Sequence, residues 1–314
     1  MLLPYRWLDR TICLRNALMQ SIPPPGEVIR NGYLLIDASN IDDETFAEPL
    51  PMLRCTPGAL ANADDFTPRL IDVAALSLAQ QADATAAMLR ETDGDRPPAI
   101  CAWLNSTFDA DTLKRHIARF LVGPGSDGGS VFWRYYDPRV FSLAMALFAP
   151  AQKEALLGPV TEWRFAWCRH WWSVAGPGRE TDPLGGFKPA WPTDKQWSSL
   201  DHSELIAAVF AHIHDIRGPL SPVDILGYQR EIDLALAGGR QYLKLTEFDE
   251  LIEYTLLSVR YGDAFLRHPK LNSAWTDLAQ GKINWIDLQN LLDHNDYHKL
   301  NQQSQLQQTP TGAA

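Results

Sequence analysis

Two short runs constrain this chain most: YLLIDAS at Tyr33 to Ser39 and AICAWL at Ala99 to Leu104 are nearly continuous in apolar residues. A strand with one face in water alternates apolar and polar side chains. A run without alternation therefore reads as a strand covered on both faces. Such strands need layers above and below, and the neighbouring segments supply them. Leu70 to Val73 reads as a further strand, and helical periodicity follows from about Ser77 to Thr92. In TFDADTLKRHIARFLVG, Leu113, Ile117, Phe120 and Leu121 share one helical face. Strands alternating with helices predict an α/β N-terminal lobe with a central sheet flanked by helices.

The run VFWRYYDPRV, Val131 to Val140, adds a strand, a corner and a helix start. Alternation over Val131 to Tyr136 would place Val131, Trp133 and Tyr135 on one face and Phe132, Arg134 and Tyr136 on the other. Asp137 is a good N-cap, and Pro138 suits the first helical position because its missing N–H is not needed there. Val140, Leu143, Ala144, Leu147 and Phe148 then recur at helical spacing. The preceding GPGSDGG, Gly123 to Gly129, is a turn. Arg134 and Arg139 flank Asp137 as an anion site with a carboxylate base would, but a lone Asp before a helix is far more often a cap. An Arg134 that points inward needs a buried partner.

From Glu162 to Trp172 the chain is aromatic, with Trp163, Phe165, Trp167, Trp171 and Trp172 read as core. Residues 173–199 are rich in Gly and Pro and read as a connector. Trp191 and Trp197 within it leave two readings open: they pack back on a domain, or they wait for a partner, as interface tryptophans do. Beyond Ser199 the pattern is helical. Asp201 and Ser221 read as caps, and Phe248, Leu251, Ile252, Thr255, Leu256 and Val259 form an apolar stripe. The expected organisation is an α/β lobe over 1–172, the connector, an all-α C-terminal lobe over 200–300 built as a small bundle, and a polar, disordered tail over 301–314.

The net charge of -10 and pI near 5.2 exclude a general nucleic-acid binder, which needs a basic stripe. Residues 201–300 carry nine Lys or Arg against 15 Asp or Glu, a net of -6, so much of the acidity lies in the helical half. Cys13, Cys55, Cys101 and Cys168 are far apart and read as free thiols of a reducing compartment. Charges come too early for a signal peptide, and no apolar run reaches membrane-spanning length, so a soluble, cytoplasmic protein is expected, with no membrane partner.

Few residues suggest chemistry. His212 and His214 lie two apart on a helix and face different sides; His294 and His298 are better spaced, with Asp296 near, but lack further ligands. No metal site and no cofactor are expected, and no nucleophile elbow, zinc-protease, P-loop or dinucleotide motif is present. An enzyme would have to draw on Arg134, Asp137, and His116 or His170.

Five blocks in order carry a resemblance: the strand ending LLID, TPRLIDV, AWLNSTFDADTLKRHIARFLV, FWRYYDPRV and ALLGPVTEW, spanning roughly residues 30 to 165. Together they resemble the type VI secretion effector adaptors, also called effector chaperones. Phe132, Arg134, Tyr136, Asp137, Pro138 and Arg139 fill the positions of that family's most distinctive block. The resemblance implies a non-catalytic cytoplasmic protein that binds a toxic effector and promotes its loading onto the VgrG spike or its PAAR tip. It further suggests that the charged residues fix the corner while Tyr135 or Tyr136 presents to a partner, or that Arg139 meets a carboxylate on the spike. The other classes are an immunity protein that caps a toxin and an enzyme built on the Arg/Asp pair.

Overall fold

The computed structural model describes residues 19–308 apart from 43–44, 61–63, 93–95, 126–127 and 181–185. The chain divides into two compact units between Ser203 and Glu204. In the N-terminal unit the sheet strands are β1 (Met19–Ile22), β2 (Tyr33–Ile36), β3 (Leu53–Arg54), β4 (Arg69–Asp72), β5 (Ile100–Ser106), β8 (Val160–Trp167) and β9 (His170–Ala175). They line up as β1-β9-β8-β5-β2-β4-β3, and every pairing is antiparallel. A second, two-stranded ribbon joins β6 (Val122–Pro124) to β7 (Ser130–Phe132).

Both faces of the sheet are covered where the apolar runs demanded it. On one face lies α1 (Leu78–Glu91), whose Ala84, Ala87 and Met88 pack on Leu34, Ile36, Ile71, Ile100 and Trp171. Ser77 and Gln80 cap it reciprocally. On the other face come α2 (Ala110–Arg119), α3 (Pro138–Leu147) and α4 (Pro150–Leu157). Phe141 of α3 stacks on Trp163 of β8 with centroids 4.3 Å apart and meets Phe165 edge-on at 5.2 Å. The β8–β9 hairpin closes through Cys168 and Arg169, both at positive φ (50° and 63°), which keeps the right-handed twist at some cost for residues with a Cβ.

Four expectations change. The strand at Val131 ends at Phe132: Trp133 N–H still meets the Leu121 carbonyl opposite (2.7 Å), but the chain then turns, closed by Asp137 N–H to the Arg134 carbonyl (3.0 Å). The stretch 173–199 belongs to the sheet unit: β9 runs on to Ala175, and α5 (Asp194–Leu200) packs on α3. Asp201 closes α5 rather than opening the next helix. The tail is helical through Gln308, and residues 309–314, like the N-terminal residues 1–18, lie outside the described part.

The C-terminal unit is helical: α6 (Ser203–Arg217), α7 (Pro222–Tyr242), α8 (Phe248–Tyr261), α9 (Asp263–Leu266), α10 (Ala274–Ala279), α11 (Trp285–Gln289) and α12 (His294–Gln308). Ser221 caps α7 as expected, accepting from Asp224 N–H. The α7–α8 pair closes over Gly239, where a Cβ would come within 3.0 Å of the Tyr254 ring. Tyr254 in turn meets Trp275 and Trp285 edge-on. Among the described residues no helix is long and apolar enough to cross a membrane.

Candidate functional site

The corner between β7 and α3 is held by two carboxylates and two guanidinium groups. Asp137 accepts from the Arg139 N–H at 3.0 Å, satisfying a first-turn donor of α3, while Pro138 takes the position that lacks one. The same carboxylate receives Arg139 Nε at 3.0 Å and Nη2 at 2.7 Å, a forked pair. Arg134 finds the buried partner its position requires in Asp37, the residue that follows β2. Asp37 is 0% exposed and also accepts from Ser39 N–H (3.0 Å), Ser39 Oγ (2.6 Å) and Asn40 Nδ2 (3.4 Å). Arg134 Nη2 lies 4.0 Å from Asp137 as well, so one guanidinium bridges the end of β2 and the start of α3.

The electrostatics follow from burial. Burial works against the charge of Arg134, but Asp37, Tyr136 and Asp137 more than offset it and raise its pKa. Burial, with Asp37 next, pushes the Tyr136 hydroxyl far up, and burial with Asp137 and Asp37 does the same to the Cys101 thiol. Both groups therefore stay protonated beside these carboxylates, and Cys101 offers no thiolate nucleophile.

The tyrosines do not present outward. Tyr135 and Tyr136 are each 0% exposed, because the turn after Phe132 swings both rings inward instead of to opposite faces of a strand. Tyr135 donates its hydroxyl to the Ile117 carbonyl (3.2 Å) and packs between Phe120 and Trp163. Arg139 is engaged by Asp137 and only partly exposed. Phe132 is half-buried and Pro138 buried.

Trp191 and Trp197 pack back on the domain. Each meets Trp133 edge-on at 5.7 Å, and they meet one another at 5.6 Å. Trp191 also donates Nε1–H to the Pro124 carbonyl (2.8 Å) and lies so close over Gly123 that a Cβ there would stand 2.6 Å from its ring. Beneath it Gln152 and Gln196 exchange amide hydrogen bonds of 3.1 and 3.0 Å. The connector is thus a strap closed by a tryptophan trio. Trp191→Ala is expected to cost about 3 kcal/mol, read from urea unfolding, and limited proteolysis should then cut between 176 and 200; an unchanged midpoint would mean the strap adds nothing.

His116 is spent on structure. Its Nε2–H donates to the Leu156 carbonyl at 2.8 Å, and Gly158, at φ 46°, passes so close that a Cβ would strike the imidazole. Burial, and secondarily the positive Arg119, lower its pKa to about 4, against the opposing pull of the Leu156 bond. The folded state thus binds this proton less readily than the unfolded chain. Stability from His116 is present above pH 6.5 and is lost as pH falls toward 4, about 2 kcal/mol by pH 5. His116→Gln should flatten the stability curve between pH 6.5 and 5; an unchanged slope would contradict the buried neutral imidazole. His170 sits on β9 against Trp172.

In the C-terminal unit, Asp296 binds Lys270 Nζ at 2.5 Å and accepts the Asp293 N–H, uses that compete with metal ligation. Among the described residues no three His, Cys, Asp or Glu side chains converge as a metal site. Sequence reasoning missed Asp37 and the glutamine pair. The signal for Asp37 was a single carboxylate closing an otherwise apolar strand, the place where only a paired charge survives burial.

Residues 33–155, less than half of the chain, match the model of a family described as Domain of unknown function (DUF4123). No curated protein and no solved structure matches this chain.

Proposed function

We propose that this chain, whose residues 33–155 match a family known from proteins associated with type VI secretion effectors, is a cytoplasmic, non-catalytic adaptor that binds one such effector and promotes its loading onto the VgrG spike or its PAAR tip. The match itself is the observation that carries the reading. The corner supports it: carboxylates saturated by donors and a thiol held protonated suit a brace better than a reaction centre. In this reading the sheet unit, which contains the matched segment, meets the spike, and the helical unit, outside it, holds the particular effector.

Capture of the tagged chain from its native cytosol, with mass spectrometry of what co-purifies, tests the reading. A VgrG or PAAR protein recovered together with a toxin-like polypeptide supports it. Recovery of one small toxin whose activity is blocked, without spike components, would replace it by toxin neutralisation. Removal of residues 204–314 should abolish effector capture and leave spike capture; the reverse outcome would exchange the roles of the two units.

A further inference from the structure

In the C-terminal unit α6, α7 and α8 are each anchored by a stripe of buried residues, such as Leu251, Ile252, Tyr254, Thr255, Ser258 and Tyr261 of α8. α12 is held differently. Among its described side chains only Asp296 and Leu300 are buried. It packs on α8 and α9 mainly through polar contacts near the surface. Asn301 Oδ1 accepts from Arg260 Nη2 (2.9 Å) and from the Tyr261 hydroxyl (3.2 Å), and Ser304 Oγ donates to the Arg260 carbonyl (3.0 Å). One buried leucine does not offset the conformational entropy of ordering 15 residues, and a helix of that length is marginal by itself in water.

The start of α12 carries its strongest tie. Asp293 accepts the Asp296 N–H at 3.0 Å and Asp296 accepts the Asp293 N–H at 2.9 Å, a reciprocal cap. Lys270, on the 3-10 turn Pro269–Leu271, donates to both of these carboxylates, at 2.9 and 2.5 Å. A single ammonium thus joins the helix start to a turn 23 residues earlier. Its side chain is 45% exposed, so salt and water reach the clasp.

We propose that α12 is a lid: it releases from α8 and α9 as a unit while the rest of the helical unit stays folded, and Lys270 is the clasp that sets how often it opens. Segments with few buried apolar contacts and exposed hydrogen bonds lie at the low end of local stability, and α12 is such a segment. Release uncovers the last turn of α8, where Tyr261 is buried and its hydroxyl is bound by Asn301. The proposal does not depend on the adaptor reading.

Hydrogen exchange of the full chain, read by mass spectrometry of peptides from α7 and α12, tests it. The α12 amides are expected to exchange faster than those of α7, and faster still on raising the salt to about 0.5 M. Lys270→Gln should speed α12 exchange about fivefold while α7 exchange and the urea midpoint stay as in the wild type. Leu300→Ser, which removes the one apolar anchor, should speed it further. Exchange of α12 at the α7 rate in the wild type, or an equal acceleration of both helices in the variants, would overturn the lid. Unchanged α12 exchange in Lys270→Gln would overturn the clasp.

Discussion

A fragment limited to residues 33–155 is expected not to fold, whereas residues 14–203 should unfold in one cooperative transition. The matched segment ends before β8 and β9 and begins after β1, so it lacks three of the seven strands. β5 would lose the neighbour that pairs Trp103 with Arg164 and Leu104 with Trp163, and would become an edge with a bare apolar face. Phe141 would lose Trp163 and Phe165, and Tyr135 would lose Trp163. His116 would lose the Leu156 carbonyl. Circular dichroism through a urea series, with amide NMR dispersion, checks this. A sharp transition in the 33–155 fragment would show that the strands outside it are accessory.

Asp37→Ala is expected to destabilise the protein by about 3 kcal/mol and to lower the melting temperature by about 10 °C. The carboxylate has four protein donors, and removing it takes their acceptor from Arg134 Nη2, from Ser39 N–H and Oγ and from Asn40 Nδ2, of which Nδ2 keeps the Pro98 carbonyl (3.1 Å) and Ser39 is open to water. Arg134 is partly in water, which limits the loss to the low end of what breaking a buried pair costs. Arg134→Met in the Asp37→Ala background should recover part of the loss, so that the double mutant is less destabilised than the sum of the single ones. Strict additivity would mean that the two side chains do not depend on one another, and the corner would then need another explanation.

Much of the fold is legible because its signals are local. The lack of alternation in YLLI and AICAWL reports coverage on both faces, and the structure places α1 on one side and α2 to α4 on the other. Asp137 and Pro138 specify the start of α3 within three residues, and Ser221 does the same for α7. The helical second half follows from periodicity alone. Where local signals misled, a long-range contact overrode them: alternation in FWRYY favours a strand, but burying both tyrosines, Tyr135 against Ile117 and Phe120, outweighs a longer ladder.

The sequence by itself determined the class of the fold, the helix caps Asp137 and Ser221 and the need of an inward Arg134 for a buried partner, since each depends on a few neighbouring residues and on the cost of burying an unpaired charge. Only the tertiary structure decided that this partner is the carboxylate of Asp37, 97 residues away, that the strands run antiparallel, and that Trp191 and Trp197 close on Trp133. Those choices depend on which distant segments meet once loops have closed, and neither spacing nor composition encodes that meeting. It is set by the joint packing of the sheet and its two layers.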